Sequence, residues 1–130
     1  MCYSKKKDYI SKKIIHWKKI AISACQQCNR NIVPKIHNPN HLIEWCKNKK
    51  NSDTKILFNK ESLLKINKFS KSIQRIQLLI GPEGGFSSEE IKEIINSGFV
   101  SISLGPRKLR TETAALAAMT ALQMRFGDLS

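Results

Sequence analysis

The chain has 130 residues, of which 41% are apolar, and a formal net charge of +13 at pH 7. That length and apolar content support one domain with an ordinary core and exclude a globally disordered chain. No stretch approaches the roughly 18 consecutive apolar residues of a membrane span, and Met1 to Lys7 lacks the apolar region of a secretion signal, so a cytoplasmic protein with no membrane partner is expected.

The first helix is predicted from about Asp8 to Cys28. Ile10, Ile14, Trp17, Ala21, Cys25 and Cys28 recur at spacings of three and four, with Lys12, Lys13, Lys18 and Lys19 elsewhere. Asn29 is placed to end it, because asparagine tolerates the left-handed conformation. Asn31 to Ile36 reads as loop and short extended segment. Asn38-Pro39 predicts a cap with proline in the first turn of a helix carrying Leu42, Ile43, Trp45 and Cys46. Lys47 to Asp53 reads as a polar turn.

Thr54 to Phe58 is a short strand by composition, and Asn59 to Ser72 a helical turn with loop. Ile73 to Ile80 ends in the apolar run Leu78-Leu79-Ile80, the pattern of a buried parallel strand. Gly81 to Phe86 is a glycine-rich loop. Ser87 and Glu90 stand at capping-box spacing ahead of a helix through Ile91, Ile94 and Ile95 that stops at Gly98. Phe99 to Leu104 is a further strand and Gly105 to Arg110 a second loop. A small-residue helix runs from Thr111 to Phe126 and closes at Gly127. Strands alternating with helices predict an α/β fold with a mainly parallel sheet.

The charge favours a polyanionic partner, RNA or DNA ahead of a membrane surface. A nucleotide-composition bias toward Lys, Asn and Ile would give part of the same excess. Cys2, Cys25, Cys28 and Cys46 are expected to be reduced thiols. Cys25-Gln26-Gln27-Cys28 has half-zinc or redox spacing, but no second pair completes a metal site, so small thiols packed in a core are expected. His37 and His41 flank Pro39 and read as loop and helix-start residues, not ligands.

In a parallel sheet, ligands bind beyond the carboxyl ends of the strands, and two loops there are unusual. Ile80-Gly81-Pro82-Glu83-Gly84-Gly85-Phe86 allows close backbone approach at its glycines and is stiffened by Pro82. No GK[ST] follows and GxGxxG spacing is absent, so neither a P-loop nor a dinucleotide fingerprint is present. A plain strand-to-helix turn would use the same glycines. Leu104-Gly105-Pro106-Arg107-Lys108-Leu109-Arg110 runs into Thr111-Glu112-Thr113, so three cations precede a helix amino terminus, and both attract anions. An exposed basic turn with Thr111 as helix cap is the alternative.

Leu79 to Phe86, paired with Leu104-Gly105-Pro106-Arg107-x-Leu109-Arg110-x-Glu112-Thr113-Ala114, resembles the ribosomal RNA small subunit methyltransferase E family. Gln27-Cys28-x-Arg30-x-x-Val33-Pro34-x-Ile36 and Ala121-Leu122-Gln123-x-Arg125-Phe126-Gly127-Asp128-Leu129 are similar to it too. An acidic residue usual in the family is replaced by Gln26, and a frequent glycine by Asn29.

The resemblance implies a SPOUT-class α/β domain with a carboxy-terminal trefoil knot. In it the two loops and the last helix enclose a bent S-adenosylmethionine. It implies methyl transfer to ring nitrogen N3 of one uridine in small-subunit (16S) ribosomal RNA by a homodimer, without metal. The family carries an amino-terminal β-barrel RNA-binding domain and a first strand, helix and strand ahead of the residues that Met1 to Lys7 match. Residues 1–130 are therefore expected to be a single partial SPOUT domain with that barrel absent. The expected cofactor-binding residues are Leu79, Ile80, Gly81, Pro82, Glu83, Gly84, Gly85, Leu104, Gly105, Leu109, Arg110, Thr111 and Thr113. Arg30 and Arg110 are candidates for stabilising charge on the uracil oxygens. Glu112 is a candidate proton acceptor, or equally a helix-start acid. A SPOUT enzyme acting on a tRNA ribose, and an inactive remnant that only binds cofactor or RNA, are the competing readings.

Overall fold

The computed structural model describes residues 4–48, 54–69, 73 and 75–129. Cys2, the polar turn at 49–53, and the expectations for 70–72 and 74 lie outside the described residues. The chain divides into two compact units, Met1–His41 and Leu42–Ser130.

The first unit is built on α1, Ser4–Gln27, which starts earlier than the apolar periodicity because lysines are good helix formers. Its end is the asparagine-capped turn that was expected. Asn29 has φ 56°, and the amide of Arg30 donates to the carbonyl of Cys25 at 2.9 Å, a Schellman closure with Asn in the usual glycine position. Ile14 and Cys25 are buried, whereas Trp17 and Cys28 are exposed. The expected packing of both CxxC thiols thus holds for Cys25 alone. Cys28 lies beyond the last helical residue, in the exposed turn that Asn29 closes. Asn31 to Ile36 forms no strand.

The second unit begins with α2, Leu42–Lys47. The helix starts at Leu42 rather than beside Pro39, so the proline sits in irregular chain ahead of it. Three strands follow: β1 (Thr54–Phe58), β2 (Ile76–Ile80) and β3 (Val100–Ile102). They form a parallel sheet in the order β2-β1-β3, with Leu57 opposite Leu79 and Ser101. Side chains alternate across a strand, and β1 shows the consequence. Leu57 packs with Cys46, Ile94 and Phe99 on one face, and Ile56 with Phe69, Ile102 and Leu122 on the other. Helices therefore cover both faces of the central strand, as a parallel sheet requires. β2 carries the longer apolar run but is half-buried throughout, because it stands at the sheet edge among the described residues.

Between β1 and β2 the expected helical turn is one short 3₁₀ segment, Ile66–Lys68. Between β2 and β3 runs α3, Ser88–Asn96. Its amino terminus is the predicted capping box. The Glu90 amide donates to Ser87 Oγ at 3.1 Å and the Ser87 amide to Glu90 Oε2 at 2.8 Å. Gly98 turns the chain at φ 98°. The last helix, α4, is Thr111–Phe126. Ala118 is fully buried and Phe126 meets Phe69 edge-on at 6.4 Å.

At the amino-terminal end of the sheet, Lys55 ties the fold together. Its Nζ donates to the carbonyls of Cys46 at 3.0 Å and of Asn48 and Ser97 at 3.4 Å, where the carboxyl ends of α2 and α3 converge. Burial pushes the Cys46 thiol above its ordinary pKa, and the Lys55 charge pulls it part of the way back. The opposite end of the sheet is left for the loops.

Candidate cofactor site

Because β1, β2 and β3 are parallel, the loops leaving their carboxyl ends emerge on one side. They enclose a cavity of about 370 Å³, within the range of small-molecule pockets.

The loop after β2 supplies one wall. The Gly85 amide donates to the Pro82 carbonyl at 2.8 Å, and Gly85 holds φ 73°, a conformation suited to glycine. A Cβ added at Gly81 would stand 3.1 Å from the Phe86 ring, so that ring needs a bare backbone beneath it. The loop after β3 supplies the second wall, turning at Gly105 with φ 138°. The two are joined: Thr111 Oγ1 donates to the Gly81 carbonyl at 3.1 Å. Thr111 is therefore a clasp in the first turn of α4, and the cap position expected of it is taken by Arg110. The loop after β1 supplies a third wall. Its Asn59 amide donates to Ile102 O at 3.0 Å and Ser62 Oγ to Ser101 O at 2.7 Å, so it is zipped along β3.

Of the residues expected to hold the cofactor, Ile80, Gly81, Pro82, Glu83, Gly84, Gly85, Leu104, Gly105, Leu109 and Thr111 line this cavity. Leu79 instead packs in the apolar cluster on the α2–α3 face, since residues alternate along β2. Arg110 caps α4 with its side chain exposed, and Glu112 and Thr113 are exposed in the first turn; none of the three is in the lining. Arg30 belongs to the other unit. Sequence reasoning missed the wall made by Phe58, Asn59, Lys60 and Glu61. The rule that ligands sit beyond strand ends would have found it, since Asn59 directly follows β1. Arg107 and Lys108, part of the second loop expected to enclose the cofactor, line the cavity with Lys60, Glu61 and Glu83. It therefore offers both charge signs beside bare glycine backbone.

A family model for the RNA methyltransferase domain matches residues 1–123. The chain belongs to this family. It is 51% identical over 130 residues to Ribosomal RNA small subunit methyltransferase E of Buchnera aphidicola subsp. Schizaphis graminum, covering all of this chain and 50% of that protein. It is 32% identical over 119 residues to the protein of the same name in Bacillus subtilis, covering 85% of this chain and 46% of that one. Among solved structures, Ribosomal RNA small subunit methyltransferase E from Neisseria gonorrhoeae bound to S-adenosyl methionine superposes with a TM-score of 0.89 at 34% identity. The match covers 94% of this chain and 52% of that one. The chain thus spans about half the length of the relatives it matches. These relatives carry the name of the family that the two loop motifs resemble. In this methyltransferase-domain chain the cavity falls where those two motifs meet.

Proposed function

We propose that this chain supplies the methyl-donor half of an enzyme that methylates N3 of a uridine in small-subunit ribosomal RNA, using S-adenosylmethionine. The observation that carries the reading is the cavity beyond the sheet, walled by both motif loops and clasped by Thr111. The donor set fits the cofactor. Lys60, Arg107 and Lys108 suit its carboxylate, Glu61 and Glu83 its ammonium and sulfonium charges, and the glycines admit its flat base and sugar close to backbone.

Bound there, S-adenosylmethionine supplies a methyl group on a sulfonium that departs readily. The work left to the protein is then positioning, charge stabilisation and proton removal. Arg110 stands between the lining residues Leu109 and Thr111 with its guanidinium in solvent, available to a base presented at the cavity. In this reading it stabilises charge on the uracil oxygens as N3 loses its proton, a role for which Arg30, in the other unit, is the second candidate. Glu112, exposed in the first turn of α4, accepts that proton or serves the helix dipole. Two copies act together in this reading. Leu116, Met119 and Met124, 72%, 51% and 59% exposed, leave apolar area on α4 for a partner. Among the described residues no helix is long and apolar enough to cross a membrane, and a cytoplasmic setting with ribosomal RNA as partner belongs to the same proposal.

Equilibrium dialysis against radiolabelled S-adenosylmethionine tests the cofactor part. Saturable binding at one site per chain, displaced by S-adenosylhomocysteine, is expected. Non-saturable uptake would contradict it.

A further inference from the structure

Ser103 is the buried polar side chain of the core among the described residues, 5% exposed, and none of the roles assigned above uses it. Its neighbours show what it holds. Ser103 Oγ accepts from the Gly105 amide at 3.1 Å. The same oxygen lies 3.1 Å from the Gly105 carbonyl and 3.3 Å from the Lys60 carbonyl, each an acceptor for its single hydrogen. The Ser103 backbone is anchored as well: its amide donates to Leu64 O at 2.8 Å and its carbonyl accepts from the Ile66 amide at 3.3 Å. The residue is thus fixed where the loop after β1 meets the loop after β3.

Gly105 and Lys60 both line the cavity, on different walls. Gly105 holds φ 138°, so its neighbours do not dictate its conformation by sterics as they would for another residue. A hydrogen bond from a fixed donor or acceptor is what selects one such conformation. We propose that Ser103 is a positioning residue for the cofactor: its hydroxyl sets the turn at Gly105 and ties it to the Lys60 wall, so the cavity is preorganised before ligand arrives. This rests on the cofactor reading above.

Ser103→Ala removes the hydroxyl without adding bulk. The loops then order on binding instead of beforehand, and the ligand's affinity falls by the cost of that ordering. A merely structural hydroxyl would lower stability and leave affinity alone. Lys55 is the control for that outcome, since its ammonium donates to three carbonyls at the opposite end of the sheet, away from the cavity.

The test is calorimetric titration of S-adenosylmethionine into the 130-residue chain and its variants, each checked by thermal melt. Ser103→Ala is expected to raise Kd by about 5- to 10-fold, as the loss of about one buried hydrogen bond's ordering implies at 1.4 kcal/mol per tenfold. Lys55→Met should lower the melting temperature and leave Kd within about twofold of wild type. Ser103→Thr, which keeps the hydroxyl, should recover most of the affinity lost by the alanine variant. An alanine variant that binds like wild type overturns the inference while the cofactor reading stands. Equal weakening by Lys55→Met, or no recovery with a folded threonine variant, also overturns it. Failure of the wild-type chain to bind at all overturns the cofactor reading, and this inference with it.

Discussion

Gly84 gives the cleanest perturbation of the proposed site. It lines the cavity, and a Cβ built on it meets no protein atom within 4 Å. Unlike Gly85 and Gly105, its backbone lies outside the positive-φ region. Gly84→Val therefore adds an isopropyl group with only cavity or solvent to enter. The fold should tolerate it within about 0.5 kcal/mol, as for other substitutions without buried contacts. A ligand lying on that backbone would instead have to shift or strain, at a cost of about 1–3 kcal/mol by analogy with overpacked interiors. That is about 5- to 150-fold in Kd. Calorimetry with S-adenosylmethionine, run beside a thermal melt, separates the two effects. An unchanged melt with a binding loss in that range is expected. A folded valine variant that binds as tightly as wild type would refute the claim that cofactor lies against this loop.

The other predictions concern stability and catalysis. Lys55→Met removes a half-buried cation from three carbonyls and should cost about 1.5–3 kcal/mol in urea unfolding, with cofactor affinity unchanged. Ser87→Ala breaks the α3 capping box and should cost about 0.5–2 kcal/mol by the same measurement. The raised pKa of the Cys46 thiol favours the folded state only while the thiol is protonated in both states. Its contribution is full below the unfolded thiol's pKa, about 8.5, and is lost as pH rises from there through the folded value. Stability measured across that window should fall less steeply in Cys46→Ala. In a form active on ribosomal subunits, Arg110→Ala should lower kcat more than it weakens cofactor binding; an equal loss in both would place Arg110 in the cofactor site instead.

Local chemistry was the part most readable from the chain. The bounds of β1, the Ser87–Glu90 box, and the turns at Asn29 and Gly98 all follow from residue type at one position, and each is found as expected. Expectations that depended on neighbours fared differently. The apolar run of β2 predicted full burial, but burial depends on what lies beside a strand, and β2 stands at the edge. Asn38-Pro39 predicted a cap with proline in the first turn, yet α2 begins at Leu42, because proline fixes its own φ without making the residues after it helical. Thr111 reads as a cap by composition, yet its hydroxyl is spent on Gly81, 30 residues earlier in the chain. The wall at Asn59 to Glu61 carries no motif and is legible only from its place directly after a strand of a parallel sheet. A knot such as the resemblance implies leaves no mark in periodicity, and sequence patterns alone would argue against one.

The proposed base methylation of ribosomal RNA is tested most directly by fusing this chain behind the amino-terminal half of a full-length relative and expressing it in a host lacking the modification. Small-subunit rRNA from that host is then mapped by mass spectrometry. One new methyl group is expected on N3 of a single uridine, at reduced occupancy in the Gly84→Val form. A methyl on a ribose or on another base, or no methyl from a folded fusion, would contradict it.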